Sequence, residues 1–168
     1  MLSSLLKLNK LLIKLLEITV ILVIGFLVID VLWGVFSRYV LGNQSSWTEE
    51  LATMLMIWAS LLGAAIGFIR KSHLGVDYFV NKMNPKNQVI EETMVYILIA
   101  VFASFVMIYG GTRFVALMLI LGRVSPAMQL KWGYIFMAVP ISGFFILFFA
   151  IETIVKNAAS LLNKSNNK

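Results

Sequence analysis

Three sets of ionisable residues have types and spacings that could do chemistry. Asp30 lies inside a long apolar run, Glu49 and Glu50 are adjacent at the start of the next one, and His73 precedes Asp77 by four residues. A carboxylate inside a membrane helix could bind an ion or a proton, and a His–Asp pair one helical turn apart could hydrogen-bond. A metal site needs more ligands than any one of these sets supplies. The chain has no cysteine and one histidine. We therefore predict no enzyme activity, no metal and no cofactor.

Asp30 is the residue for which a functional and a structural interpretation compete most directly. It precedes Arg38 by eight residues, which places it roughly 12 Å from the outer end of its helix. A carboxylate at that depth costs about 2–3 kcal/mol unless it faces protein or water. It could be an ion or proton site, a buried contact to an Arg, Trp or backbone group, or a residue nearer water if the helix boundary is shifted. The lack of a second carboxylate in mid-membrane favours the structural interpretation.

The composition predicts the elements that carry these residues. The chain has 168 residues, 60% of them hydrophobic and 13% charged, with a mean hydropathy of +0.91. A soluble domain of this size could not bury so much apolar surface, so we predict an all-α integral membrane protein of one compact domain. Four transmembrane helices are expected at about 15–36, 48–69, 88–112 and 130–155. The net charge of +6 flanks these runs and does not indicate nucleic-acid binding.

Shorter segments connect and flank the predicted spans. Residues 1–14 form an amphipathic helix at the membrane surface or leading into the first span, residues 73–83 a short interfacial helix, and residues 157–168 a polar tail. Residues 114–121 are too short to span, and we favour an extension of the third helix over an interfacial helix. Ser125-Pro126 is expected to restart a helix, and Pro140 to kink the fourth span.

The basic residues predict the orientation of the chain. Ten Lys and Arg residues fall at the termini and in the loop at 70–92, whereas four fall on the opposite side. The positive-inside rule therefore places both termini in the cytoplasm.

The second predicted span carries the densest set of recognisable features. Ser46 and Glu49 have the spacing of a capping box, and Glu50 is not needed for it. Arg38 lies on the same membrane face and could pair with either glutamate. Gly63 and Gly67 form a G-x-x-x-G pair that would let another helix approach closely, in this subunit or in a partner.

Two tryptophans and a basic residue complete this span. Trp47 is placed at the membrane interface, where aromatic side chains are enriched. The indole N–H of Trp58, in mid-span, needs a hydrogen-bond partner, and packing and docking to a second protein are equally open. Arg70 ends the uncharged run.

The order of these residues resembles the small membrane subunit of a tripartite ATP-independent periplasmic (TRAP) transporter, the DctQ-like family. The resemblance is carried by Arg38, Ser46-Trp47-Thr48-Glu49-Glu50-Leu51, Trp58, Leu62-Gly63-Ala64-Ala65, Arg70, His73 and Asp77. It implies a multi-pass protein of the bacterial inner membrane, in contact with lipid. It further implies that the residues Arg38, Trp47, Glu49, Glu50, Trp58, Gly63, Gly67, Arg70, His73 and Asp77 serve subunit contacts or the fold.

The same resemblance implies a function and partners. The small subunit would be the scaffold of a large multi-span subunit, which carries the substrate and sodium sites of a symporter. A periplasmic binding protein would deliver an organic acid, such as a C4-dicarboxylate, a keto acid or sialic acid, with the sialic-acid branch slightly favoured. The outer segments at 42–46 and 123–131 would help to seat that binding protein.

Two other functions are open at this point. The chain could be an autonomous proton-coupled exporter of the small multidrug type that uses Asp30, or a membrane assembly factor with no role in transport. Transport sites usually combine broken helices with polar residues at the membrane midplane. This sequence offers only Asp30 and Pro140 there, which favours the scaffold.

Overall fold

The protein is helical and has four runs that could cross a membrane. The computed structural model describes residues 2–43, 45–70 and 85–165. Four helices within these ranges are long and apolar enough to span, at Asn9–Tyr39, Ser46–Ile69, Gln88–Ile120 and Trp132–Ala159, and the same ranges contain no strand. The predicted all-α, four-span class is confirmed, while the cytoplasmic placement of the termini stays a prediction.

The helical elements continue further than the sequence patterns indicated. They are α1 (Leu2–Tyr39), α2 (Ser46–Ile69), α3 (Pro85–Phe102), a π-helix (Ala103–Gly110), α4 (Gly111–Ile120), α5 (Trp132–Phe136) and α6 (Ala138–Ser165). The N-terminal segment is continuous with the first span in α1. The third run reaches Ile120, so α4 is the extension of the third helix that the sequence favoured for residues 114–121. The predicted interfacial helix at 73–83 lies outside the described residues.

The predicted polar tail from residue 157 continues the helix α6 as far as Ser165. The side-chain amide of Asn157 donates hydrogen bonds to Glu92 Oε2 at 3.1 Å and to Thr93 Oγ1 at 3.4 Å. The adjacent Lys156 forms an i,i+4 ion pair with Glu152 at 2.5 Å. These contacts with α3 and along α6 hold a polar segment in a helix that composition alone would not favour.

The fourth run is interrupted close to Pro140. The short helix α5 ends at Phe136, Met137 forms a turn, and α6 begins at Ala138. Proline has no N–H to donate to the carbonyl group four residues earlier, which is that of Phe136. The irregularity lies where the proline predicts it.

Chain contacts divide the protein into two compact units, the first of which contains the described residues up to Ile66 together with Arg113–Ala138. Within it, α1 buries a narrow seam in which Leu16, Val20, Asp30 and Ser37 recur at intervals compatible with one helix face. Most of the remaining surface of α1 is apolar and exposed, as in Ile21 at 68%. Such a surface suits lipid or another membrane protein.

The second unit contains Gly67–Thr112 and Val139–Lys168, of which 71–84 and 166–168 are outside the described residues. The rings of Phe68 and Tyr96 pack at 5.3 Å. A Cβ atom added to Gly143 would lie 2.6 Å from Met107 Cβ, in the π-helix. Gly111 is similarly close to Val139, whose Cγ1 would be 3.1 Å from an added Cβ. Small residues therefore permit the close helix packing of this unit.

Gly143→Ala should destabilise the isolated protein because the Met107 Cβ atom, next to the backbone, cannot move away without displacing the helix. We expect a loss of about 1–3 kcal/mol, seen as a lower thermal midpoint in mild detergent. Gly25→Ala is the matched control, since no atom lies within 4 Å of its added Cβ, and it should be neutral or stabilising by up to about 1 kcal/mol. Equal midpoints for the two variants would contradict the packing described for Gly143.

Candidate functional site

The carboxylate of Glu50 is the acceptor for a group of donors from the connection between α4 and α5. It accepts hydrogen bonds from the backbone N–H of Ala127, at 3.0 Å to Oε1, and from that of Met128, at 3.0 Å to Oε2. The hydroxyl of Ser125, which is fully buried, also donates to Oε2. Hydrogen bonds to an ionised acceptor are stronger than neutral ones. Glu50 thus ties α2 to a segment more than seventy residues further along the chain.

The connection has a defined shape around this carboxylate. The N–H of Ser125 donates to Leu130 O at 2.8 Å, and that of Trp132 donates to Arg123 O at 3.1 Å. Val124 and Lys131 form an isolated antiparallel bridge. Gln129 has a φ of 56°, in the left-handed region that non-glycine residues rarely adopt.

The prediction that Ser125-Pro126 restarts a helix is therefore wrong. Pro126 to Met128 form a turn, and helix resumes at Trp132. The N–H groups of Ala127 and Met128, which would lie in the unbonded first turn of a new helix, are bonded to Glu50. The positive φ of Gln129 is incompatible with a right-handed helix. Sequence reasoning singled out Glu50 but missed Ser125, Ala127 and Met128, because two of its contacts are to backbone groups that leave no pattern in the sequence.

The start of α2 differs from the predicted capping box. The helix begins at Ser46, so Ser45 and not Ser46 is the residue that precedes it. The Thr48 hydroxyl donates to Ser45 O at 2.7 Å. An Oγ1 atom of this buried threonine would lie 3.2 Å from a Cβ added to Gly34, which shows how closely α1 and α2 approach each other here.

A cleft of about 270 Å³ lies between α1 and α2 beside this contact. Its lining includes Asp30, Gly34 and Arg38 from α1, and Thr48, Glu49 and Ala52 from α2. Arg38 and Glu49 both line this cleft. The carboxylate of Glu50 is instead bonded to the α4–α5 connection. Of the two glutamates that the sequence suggested as partners of Arg38, Glu50 is therefore not the one.

Asp30 is buried in this region, with 5% of its surface exposed. Neither carboxylate oxygen has a hydrogen-bond partner among the residues that the structure describes. The expected contact to an Arg, Trp or backbone group is therefore not made within these residues. The neighbouring α2 contributes Ala52, which has no side-chain donor, and Thr48, whose hydroxyl already donates to Ser45.

The other predicted site residues are spread along α2. Trp47 is 40% exposed, and Trp58, Gly63 and Gly67 are partly exposed. Arg70 is exposed directly after the helix. His73 and Asp77 lie outside the described residues. The described residues contain no group of three His, Cys, Asp or Glu side chains that could hold a metal ion.

The exposed flank of α2 combines small and hydroxyl-bearing residues. Thr53 and Ser60 are exposed, and each hydroxyl donates back to its own helix, to Glu49 O at 2.8 Å and to Met56 O at 2.7 Å. Cβ atoms added to Gly63 and Gly67 would meet no described atom within 4 Å. Met56, 57% exposed, lies on the same face. The other side chains of the flank are small and the hydroxyls of Thr53 and Ser60 are satisfied, as in helix faces that pack against another helix in a membrane.

These features define a multi-pass helical membrane subunit, with the α4–α5 connection fixed by one glutamate and a flank of α2 that no described residue covers. A family profile described as "Tripartite ATP-independent periplasmic transporters, DctQ component" matches residues 10–160. The chain therefore belongs to the DctQ component family of these transporters. It is a membrane component of a TRAP transporter in the bacterial inner membrane and not an enzyme.

Individual relatives agree with this assignment. The sialic acid TRAP transporter small permease protein SiaQ of Vibrio cholerae is 26% identical over 155 residues, covering 90% of this chain and 86% of the relative. A putative TRAP transporter small permease protein of Haemophilus influenzae is 29% identical, covering 79% and 81%. The sialic acid TRAP transporter permease protein SiaT of Haemophilus influenzae is 30% identical over 93 residues, which cover 55% of this chain but 14% of that relative.

Glu50→Ala should loosen the α4–α5 connection, because two backbone N–H groups and a buried hydroxyl would lose their acceptor. We expect amide hydrogen exchange in a peptide covering 125–130 to become at least about tenfold faster. Glu49→Ala changes the neighbouring residue, which is not the acceptor of the hydrogen bonds from Ser125, Ala127 and Met128, and serves as the control. Unchanged exchange in Glu50→Ala, or equal acceleration in both variants, would contradict the role of Glu50.

Proposed function

We propose that this chain is the scaffold subunit of its transporter, and that it binds the large membrane subunit through the exposed flank of α2. The observation that carries the proposal is the open space beside Gly63 and Gly67. The sequence alone left open whether this flank packs against another helix of the same subunit or against a partner. Since no described residue covers it, a partner helix is the better explanation.

Physical chemistry favours a protein over lipid on this flank. In hydrocarbon, helices associate through close van der Waals packing and hydrogen bonds, because lipid is as apolar as leucine. Small residues allow a second backbone to approach, and Thr53 and Ser60 give that backbone a polar contact. Long apolar residues that pack well against lipid are more frequent on α1, where Ile21, Leu32 and Phe26 are more than 60% exposed, whereas Met56 is the exposed long apolar residue among the described residues of the α2 flank.

The relatives support a large permease as the partner. The match to SiaT covers a small part of a much longer permease, so a segment similar to this chain occurs there together with a larger remainder in one polypeptide. A separate small subunit would have to hold such a remainder by non-covalent contacts. We infer that sodium and substrate are bound by that large subunit.

The substrate class follows from the relatives' names and not from any residue of this chain. One relative is named as a sialic acid transporter component and another, 27% identical from Rhodobacter capsulatus, as a C4-dicarboxylate component. We propose import of an organic acid, with sialic acid as the best candidate, delivered by a periplasmic binding protein. The connection at 123–131, held by Glu50 and carrying exposed Arg123 and Lys131, is the proposed seat of that protein. Comparing uptake of sialic acid and C4-dicarboxylate by the reconstituted complex tests the substrate.

Family membership argues against the two other functions considered from the sequence. An assembly factor without a role in transport would not share most of its length with TRAP permease components. An autonomous exporter would need a carboxylate that substrate and water can reach, and Asp30 is 5% exposed.

Gly63→Leu and Gly67→Leu should each separate the chain from the large subunit by steric exclusion. We expect at least about tenfold less large subunit to be recovered with the tagged chain in mild detergent. The isolated variants should melt like the original protein, because the new side chains enter open space. Gly25→Leu, an open glycine of α1, is the control and should leave recovery unchanged. Full recovery with both α2 variants would overturn the assignment of this flank.

A further inference from the structure

Among the residues that the structure describes, Asp30 differs from the other buried polar residues of its unit in having no hydrogen-bond partner. Ser37, Thr48 and Ser125 are buried as deeply, and each hydroxyl donates a hydrogen bond, to Gly34 O, Ser45 O and Glu50 respectively. Both oxygens of Asp30 are closed to water and lack a partner among the described residues. A buried ionised carboxylate without a donor is strongly unfavourable, so this residue is incompletely satisfied by its own chain.

The cleft between α1 and α2 lies beside this residue. Asp30 belongs to its lining, but both carboxylate oxygens are covered in the structure of this chain alone, so the Asp30 side chain would have to turn toward the cleft to meet an occupant. Asp30 lies at one end of the α1 lining and Arg38 at the other, roughly 12 Å apart along the helix axis. Gly34 lies between them and adds no side chain to the cleft wall. The volume of about 270 Å³ is several times the roughly 30 Å³ that a water molecule occupies in the liquid, which leaves room for one long side chain.

The charges in the cleft favour a cation. Arg38 and Glu49 contribute one formal charge of each sign to the lining, and Asp30 adds a second negative charge. A metal ion is a poor occupant, because hard cations such as Ca²⁺ and Mg²⁺ take about six or more oxygen ligands. The cleft offers few, and the Thr48 hydroxyl among them is already bonded to Ser45. A lipid headgroup is held at the interface and would have to descend two helical turns from Arg38 to reach Asp30.

We propose that this cleft is a socket for a basic side chain, lysine or arginine, of the large membrane subunit, which pairs with Asp30. The inference rests on the proposed function, since it requires that subunit as a partner. A long basic side chain can enter a membrane cleft with its apolar stem against the walls and its charged end on the carboxylate. Polar residues that pair in this way between membrane helices are satisfied only in the assembled complex.

Substitution of Asp30 separates a role in assembly from a role in folding. Asp30→Asn and Asp30→Leu should recover at least about tenfold less large subunit than the original chain, because the partner's cation would be buried unpaired. Asp30→Glu keeps the charge and should recover more than Asp30→Asn. The isolated Asp30→Leu chain should melt no lower than the original, since it loses no described hydrogen bond.

Three results would overturn the socket. Recovery with Asp30→Asn and Asp30→Leu equal to that of the original chain would show that the carboxylate is not used in assembly. A lower melting temperature of isolated Asp30→Leu would show that the residue serves the fold. If the original chain itself recovers no large subunit, the proposed function fails, and the socket fails with it.

A genetic test identifies the partner group. Asp30→Lys should abolish uptake, and second-site changes that restore it should replace a lysine or arginine of the large subunit with an acidic residue. If every change that restores uptake lies in this chain, the claim that a basic side chain of the large subunit pairs with Asp30 is contradicted.

Discussion

The hydrogen bonds between Glu50 and the α4–α5 connection are the interaction on which the outer part of the protein depends. Close to a membrane, backbone groups outside helices must find partners within the protein. The connection uses the Glu50 carboxylate for the N–H groups of Ala127 and Met128, and pairs Ser125 with Leu130. One side chain of α2 therefore fixes the segment that leads into the fourth membrane run, and with it the outer surface that we propose seats a binding protein.

The surfaces and polar groups that lack a contact within the described residues are as informative as those whose contacts are complete. The α4–α5 connection completes its hydrogen bonds within the chain. Among the described residues, by contrast, nothing covers the flank of α2 around Gly63, and Asp30 in the seam of α1 has no donor. We propose that both belong to the same partner. A scaffold of this kind would combine a rigid outer surface with membrane contacts that are completed only in the transporter.

The class of fold could be predicted from the sequence because hydrocarbon imposes long apolar helices with basic flanks. Pro140 likewise predicted an irregularity in the fourth run, which the structure shows at Met137. The π-helix at Ala103–Gly110 and the helical course of Asn157 could not be predicted, since they depend on tertiary neighbours. Glu50 was singled out because the capping box did not need it, but its partners could not be named, since the bonds join distant segments and two donors are backbone groups. For Asp30 the sequence posed the question of a partner, and the missing donor among the described residues emerged only from the structure.

The central claim is that this chain supports a transporter and carries no solute by itself. Uptake by proteoliposomes under an inward sodium gradient, with the binding protein and labelled sialic acid or C4-dicarboxylate outside, tests it most directly. The account predicts uptake when this chain and its large subunit are reconstituted together, and background levels with this chain alone. Accumulation of either acid in vesicles that contain only this chain would contradict it.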